Sequence, residues 1–280
     1  MFGFWTLEFD GILFLGAWNF HKRPQRLMLS IVPTPIGNLG DITLRALEVL
    51  KRADKILCED TRQTQKLLQR YEIQKPLLSY HEHSSSEKTA GMIQLLKEGQ
   101  HLALVSDGGM PLVSDPGFQI VHAVLVEGLP LEVLPGPTAI TTALVLSGLP
   151  TDSFSFLGFL SNKGERRKHE LQALESREET LIFFESPFRI LKMLQDALAV
   201  FGDREAAVAR EITKKFEEVL RGNLSELLRD MTQKPRKGEM VVLVSGKDRK
   251  SVLPKVASRL SLDKKPETRD QRPETNKGEI

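Results

Sequence analysis

The chain has 280 residues, enough for one large α/β domain or two of moderate size. Its 39 Lys and Arg against 37 Asp and Glu leave a formal charge of +2, which excludes a global nucleic-acid signature and confines RNA binding to local clusters. A single cysteine, Cys58, excludes an internal disulfide framework and a multi-cysteine zinc site; no apolar stretch is long enough to span a bilayer, and the expected compartment is the cytoplasm.

The first 27 residues differ in character from the rest of the chain. Their apolar run Gly11-Ile-Leu-Phe-Leu-Gly-Ala-Trp18 has acidic Glu8 and Asp10 before it and His21-Lys-Arg23 after it, the reverse of a signal peptide. Residues 1–27 therefore read as a dispensable extension, with Met28 a natural start. From Leu29 strands and helices alternate. Leu29-Ser-Ile-Val32 enters the loop Pro33-Thr-Pro-Ile-Gly-Asn-Leu-Gly-Asp41, and the pattern predicts a helix from about Ile42 to Ala53 with Leu44, Leu47 and Leu50 along one face. Ile56-Leu-Cys58, with Cys58 as a core residue, ends in Glu59-Asp-Thr-Arg62. Leu77-Leu-Ser-Tyr80 delivers His81-Glu-His83, after which Ser84 and Glu87 form a capping box.

Leu102-Ala-Leu-Val105 reads as a buried parallel strand, and Ile120, Val121, Val124 and Leu125 come next with helical spacing. Between them lies Ser106-Asp-Gly-Gly-Met-Pro-Leu-Val-Ser-Asp-Pro-Gly117, with Asp115 as expected N-cap and Pro116 at the first helical position. This is the edge at which open α/β sheets bind ligands. Gly108 and Gly109 let backbone groups lie flat against a small molecule, and Asp107 can accept hydrogen bonds from a ribose or an amino group. Neither Gly-Lys-Ser/Thr nor Gly-x-Gly-x-x-Gly is present, so a cofactor with no phosphate to cradle suits the loop better. Leu131-Glu-Val-Leu134 runs into a third such loop, Pro135-Gly-Pro-Thr138, with Pro137 at a helix start.

Pro150-Thr-Asp152 marks a domain boundary, giving domains 28–150 and 151–246. The second begins with the strand Phe154-Ser-Phe-Leu157, a charged helix from Lys163, and Leu181-Ile-Phe-Phe184 ending in Glu185-Ser-Pro-Phe-Arg189, where Ser186 and Pro187 start a helix that Gly202 ends. Ala206-Ala-Val-Ala209 delivers Arg210-Glu211 and Thr213-Lys-Lys-Phe-Glu-Glu218, and Met240-Val-Val-Leu-Val244 closes the domain. Residues 247–280, with ten basic and six acidic side chains, read as a disordered basic tail.

Four clusters carry chemistry or a plainer reading. His81 and His83 share a face of an extended segment, but no third ligand lies nearby, so no metal is expected. Asp60 and Arg62 fit either a helix cap with an exposed ion pair or a functional pair at a strand end; Glu185 and Arg189 fit a routine helical i,i+4 pair. Lys163, Arg166, Arg167 and Lys168, with Lys214, Lys215, Arg236 and Lys237, form either a solvated face or a phosphate-binding surface.

These motifs, together with Ser147-Gly-Leu-Pro-Thr-Asp152, Leu157-Gly-Phe-Leu160 and Lys237-Gly-Glu239, match one pattern in order over about residues 29–246. The chain resembles the tetrapyrrole-methylase-like (class III) methyltransferases, in the branch that methylates the ribose of a cytidine in 16S rRNA. The resemblance implies two α/β domains with the cofactor in the cleft between them, S-adenosyl-L-methionine as methyl donor, the small ribosomal subunit as partner, and a homodimer. It carries the cofactor wall onto Ser106, Asp107, Gly108, Gly109, Met110, Pro111, Ser114, Pro135, Gly136 and Thr138, closed by Phe184, Ala209 and Glu239. Gly108 and Met110 depart from the usual Ala and Thr, Phe188 stands where His is usual, and Ser84 where Asn is usual.

Methyl transfer needs donor and acceptor aligned, and a 2′-hydroxyl needs a group to take its proton. Asp60, Glu82 and Glu185 are the candidate bases, Arg62 a positioning cation, and Arg166, Arg167, Lys214 and Lys215 the candidate RNA contacts. The alternatives are a corrin or porphyrin precursor C-methyltransferase of the same fold, whose first loop reads Gly-x-Gly-Pro-Gly-Asp, and a non-catalytic cofactor-sensing RNA-binding protein.

Overall fold

A computed structural model describes residues 4–9, 12–17, 28–81 and 85–249. Glu82, His83 and Ser84, the rest of the N-terminal segment and the basic tail beyond Arg249 lie outside the described residues. The chain forms two compact units that are not contiguous in sequence. The described residues of the first fall in Met1–Val32, Leu44–Ser106 and Pro111–Leu134; those of the second fall in Pro33–Thr43, Asp107–Met110 and Pro135–Ile280.

The first unit opens with an antiparallel pair that the sequence pattern does not predict, β1 (Phe4–Phe9) and β2 (Ile12–Ala17). It continues with β3 (Met28–Ile31), α1 (Leu44–Arg52), β4 (Lys55–Cys58), α2 (Thr61–Arg70), β5 (Leu77–Ser79), α3 (Ser86–Lys97), β6 (His101–Leu104), α4 (Phe118–Val126) and β7 (Leu131–Val133). Strands β3 to β7 run parallel in the order β5-β4-β6-β3-β7, so all their C-terminal ends share one edge. Three consecutive buried residues in each of β3, β4 and β6 reflect a parallel sheet covered on both faces.

Three local expectations are corrected here. The buried face of α1 is Ala46, Val49 and Leu50, while Leu44 is 81 % exposed. The helix starts two residues later than its pattern suggests, after a 3-10 turn at Leu39–Asp41. Likewise α4 begins at Phe118 with Gly117 as N-cap, so Asp115 and Pro116 stay in the loop. Gly117 has φ 137°, and a Cβ there would lie 2.8 Å from a Leu104 methyl, so only glycine makes this entry. The cap of α3 is Ser85, whose side chain accepts from the Lys88 N–H.

The second unit contains α5 (Ala139–Ser147), β8 (Phe154–Phe159), α6 (Gly164–Gln172), β9 (Thr180–Glu185), α7 (Ile190–Phe201), β10 (Glu205–Arg210), β11 (Glu218–Asn223), α8 (Leu224–Gln233) and β12 (Met240–Val244). Its sheet is mixed, in the order β11-β10-β12-β9-β8, with only β8 and β9 parallel. Two apolar clusters cover it. One is built on Leu181, Phe183, Val208 and Val242 against α7 and α8; the other packs Ala207, Ala209, Val241 and Leu243 against Ala143 and Leu144 of α5. β11 and α8 are not among the elements expected from the sequence. α7 begins at Ile190, since Ser186 to Arg189 form a turn ahead of it. The described chain ends on an anchor, the Arg249 guanidinium paired with both Asp152 carboxylate oxygens at 2.6 and 2.9 Å.

Candidate active site

The loops that leave β3, β6 and β7 enter the second unit at Pro33, Asp107 and Pro135. There Thr34 and Gly109 exchange two backbone hydrogen bonds of 2.9 Å, zipping the first loop to the second. Gly109 holds φ 93°, which a side chain resists, and a Cβ on Gly136 would stand 2.7 Å from that of Pro33. Gly108 is different: a Cβ there would meet nothing nearer than 3.5 Å, so the alanine usual in the resembled pattern fits equally well. Asp107 is exposed beside these glycines, and Thr138 caps α5 by accepting from the Ile140 N–H at 3.3 Å. Ile36 of the first loop, Phe184 of β9 and buried Ala209 of β10 pack in one apolar cluster. The second unit therefore gathers Asp107, Gly108, Gly109, Met110, Pro135, Gly136, Thr138, Phe184, Ala209 and Glu239. Ser106, Pro111 and Ser114 belong to the first unit, where Ser106 and Pro111 are buried and Ser114 is exposed with φ 65°.

The turn from β10 to β11 is a further part of this region, of which the sequence singles out only Lys214 and Lys215 as site residues. Glu211 and Thr213 take φ 48° and 64°, rare for residues with side chains. The Asn38 N–H donates to Thr213 Oγ1 at 3.0 Å, and a Cβ on Gly37 would lie 2.6 Å from that oxygen and 2.9 Å from the Ile212 carbonyl. Lys214 Nζ sits 3.1 Å from Glu211 and 2.9 Å from Glu239. Burial alone would lower the Lys214 pKa, but hydrogen bonds and charge from Glu239 and Glu211 outweigh it and raise it. Lys214, expected from the sequence as an RNA contact, is thus already engaged by two carboxylates.

The candidate bases stand in contrasting settings. Asp60 lies two residues past β4 and caps α2, accepting from the Arg62 N–H at 2.8 Å and from the Arg62 guanidinium at 3.0 and 3.2 Å. The Arg62 side-chain hydrogen bond holds the Asp60 carboxyl below the usual carboxylate range. Glu185, at the end of β9, has a side chain only 1 % exposed. Its Oε1 accepts from the Ser186 N–H at 2.8 Å and lies 3.2 Å from Arg189 Nε, while Oε2 has no hydrogen-bond partner among the described residues. Burial raises the Glu185 pKa, against the opposing pull of Ser186, Arg189 and Arg167. Glu82 lies outside the described residues. His81 is hydrogen-bonded to Ser79 at 2.7 Å, and no group of three metal-binding side chains occurs among the described residues.

The basic residues separate as well. Arg166 and Lys215 are exposed, Arg166 beside Glu170 and Lys215 over the Phe216 ring. Arg167 is not part of that face: it is buried, with its guanidinium 2.6 Å from Asp196. Neighbouring helical residues diverge by about 100°, so one of two adjacent arginines turns inward. Arg236 is also buried, between Glu218 and Asp230.

Residues 28–228 match the family described as tetrapyrrole (corrin/porphyrin) methylases. The chain belongs to this family. Within it, the chain is 47 % identical over 220 residues to a ribosomal RNA small subunit methyltransferase I of Thermotoga maritima, covering 79 % of this chain and 99 % of that protein. It is 44 % identical over 234 residues to the protein of that name from Bacillus subtilis, covering 84 % and 80 %. Among solved structures, a cobalt precorrin-4 methyltransferase has a TM-score of 0.60 at 19 % identity, covering 81 % of this chain and 98 % of that one. A diphthine synthase also reaches 0.60, at 17 % identity and 79 % and 90 % coverage. The family fold is therefore common to enzymes with different acceptors, and the acceptor has to be argued separately.

Proposed function

We propose that this chain transfers the methyl group of S-adenosyl-L-methionine to the 2′-hydroxyl of cytidine 1402 in 16S rRNA of the small ribosomal subunit, acting in the cytoplasm as a homodimer. One observation carries the choice of acceptor. Identity to the relatives named for ribosomal RNA is 44–50 %, whereas the structural neighbours that act on tetrapyrroles stand at 19–23 %. The first loop agrees, since Pro35-Ile-Gly-Asn-Leu-Gly-Asp41 replaces the Gly-x-Gly-Pro-Gly-Asp of the tetrapyrrole enzymes. Among the described residues no helix is long and apolar enough to cross a membrane.

The residues fit a donor without phosphate. Gly109 and Gly136 leave bare backbone where a Cβ would be strained or collide, and Asp107 offers an exposed carboxylate for hydroxyl or amino groups. When bound, the donor supplies an electrophilic methyl group on a sulfonium. The chain then has to hold the acceptor oxygen in line and take up its proton. Of the described candidates, we assign proton uptake to Asp60, a half-exposed carboxylate aimed by Arg62 at the edge where the strands end. Glu185 is enclosed and acts by holding Arg189 and Ser186 in place. Arg166, exposed beside Glu170, and Lys215, exposed over the Phe216 ring, are the cations we assign to RNA phosphates.

The reading is tested by offering the purified chain 30S particles and a tetrapyrrole precursor together with labelled donor. Label entering the rRNA alone is expected, and label entering the tetrapyrrole overturns the assignment. Asp107→Ala should weaken donor binding about tenfold or more by calorimetry, the loss expected for a hydrogen bond to a charged group. Unchanged affinity would remove Asp107 from the donor site.

A further inference from the structure

At the end of the two parallel strands of the second sheet, two large aromatic side chains are left in solvent. Phe159, the last residue of β8, is 57 % exposed, and Phe188, in the turn after β9, is 93 % exposed. Burying such a ring stabilises a fold by about 1.5–3 kcal/mol, so two unburied rings at one edge of a packed unit call for a reason. The two segments that carry the rings are neighbours. β8 and β9 run parallel with Phe159 opposite Phe184, and the Phe159 ring meets the edge of Phe184 with centroids 5.7 Å apart. The next residue in each segment closes the gap, because the Arg189 guanidinium donates to the Leu160 carbonyl.

The backbone beneath the rings is fixed from several sides. Arg167 donates to the Ser161 carbonyl at 3.3 Å, the Ser161 N–H donates to Glu170 at 2.8 Å, and the enclosed Glu185 lies 3.2 Å from Arg189. Exposed aromatic rings on a fixed backbone are what an unstacked nucleobase recognises, and cations alongside supply the phosphate contacts. Those cations come directly after in the chain: Lys163 and Arg166, both exposed, sit at the start of α6. The same charges disfavour a second copy as the occupant, since a two-fold contact of this face with itself would bring like cations together.

We propose that Phe159 and Phe188 form a stacking site for an unpaired base of the RNA strand, with Lys163 and Arg166 on the adjoining phosphates. The proposal rests on the RNA-methylating reading above and adds the face by which the strand is gripped. It is tested on the full chain with a single-stranded RNA oligonucleotide carrying 2-aminopurine, whose fluorescence falls on stacking. Wild type should bind and quench the probe. Phe188→Ala and Phe188→Leu should each weaken binding about tenfold, as expected for one lost base stack, and abolish the quench. Phe188→Trp should restore both, and the melting temperature should not move because the ring is solvent-exposed. Wild-type affinity and quench in the Phe188→Leu, Phe159→Leu double variant would overturn the site, as would a wild type that fails to bind the probe. A change of oligomeric state on these substitutions would also overturn it, by showing that protein covers the rings. Methylation of 30S particles by wild type, measured in parallel, reports on the activity independently of the stacking site.

Discussion

Two carboxylate–arginine pairs end strands in the two sheets, and they differ in nearly everything except composition. Asp60 and Arg62 lie at the surface end of β4, hydrogen-bonded side chain to side chain and side chain to backbone. Glu185 and Arg189 lie at the end of β9 with the carboxylate enclosed and one oxygen unpartnered among the described residues. Arginine pulls both acids down, but at Glu185 burial is the larger effect and the shift is upward. The first pair is an ionised group accessible to a substrate; the second is an internal brace whose polarity is taken up by the turn before α7. Arg166 and Arg167 repeat the contrast in adjacent cations, one facing solvent and one sealed against Asp196.

The largest effect should come from removing the accessible acid. Asp60→Asn keeps a good N-cap, so α2 should survive, while the methylation rate should fall by about 10²–10⁴ with donor affinity unchanged. Because Asp60 is held below the usual carboxylate range, the wild-type rate should show no acid limb between about pH 5 and 7. A limb in that window, together with a wild-type rate in the Asn variant, would move the base to a group with a raised pKa.

Next in size is the pair of arginines. Arg167→Ala leaves the largely covered Asp196 carboxylate without its partner and should cost roughly 3 kcal/mol of stability by denaturant unfolding. Arg166→Ala should leave stability within about 0.5 kcal/mol and instead flatten the salt dependence of RNA binding by about 0.7 per lost phosphate contact. Equal stability losses in the two variants would erase the distinction.

The smallest effect concerns Glu185. A folded-state pKa raised by burial means the folded protein binds this proton more tightly than the unfolded chain. The site's contribution to stability is then greatest below the unfolded value and declines as pH rises through the folded one. Glu185→Gln removes that decline, so its melting temperature relative to wild type should climb as pH rises above the usual glutamate range. A difference independent of pH would show that the carboxyl does not titrate as an enclosed group.

Much of the first sheet was legible because an apolar run of three or four residues, bounded by a loop rich in Gly and Pro, is too short for a helix and too apolar for a surface turn. Asp60 as a helix cap was legible for a similarly local reason. β11 was not, since Glu218-Val-Leu-Arg-Gly-Asn223 carries only two apolar residues among polar ones and a glycine. α8 did carry a signal, the Asn223–Glu226 capping box with Leu224, Leu227 and Met231 on one face. The burial of Glu185 and Arg167 could not be read locally: each is enclosed by segments far along the chain, and an i,i+4 pair or a basic run looks the same on a surface. Gly37 and Thr213 were visible only as parts of motifs, and the contact between them, 175 residues apart for Asn38 and Thr213, belongs to the fold.

The most direct test is the position of the transferred methyl. 16S rRNA recovered from 30S particles after reaction with labelled donor should, on alkaline hydrolysis, carry the label in a single alkali-resistant dinucleotide containing cytidine 1402, because a methylated 2′-oxygen cannot attack the neighbouring phosphate. Label released in mononucleotides would place the methyl on a base, and unlabelled RNA would contradict the account at its centre.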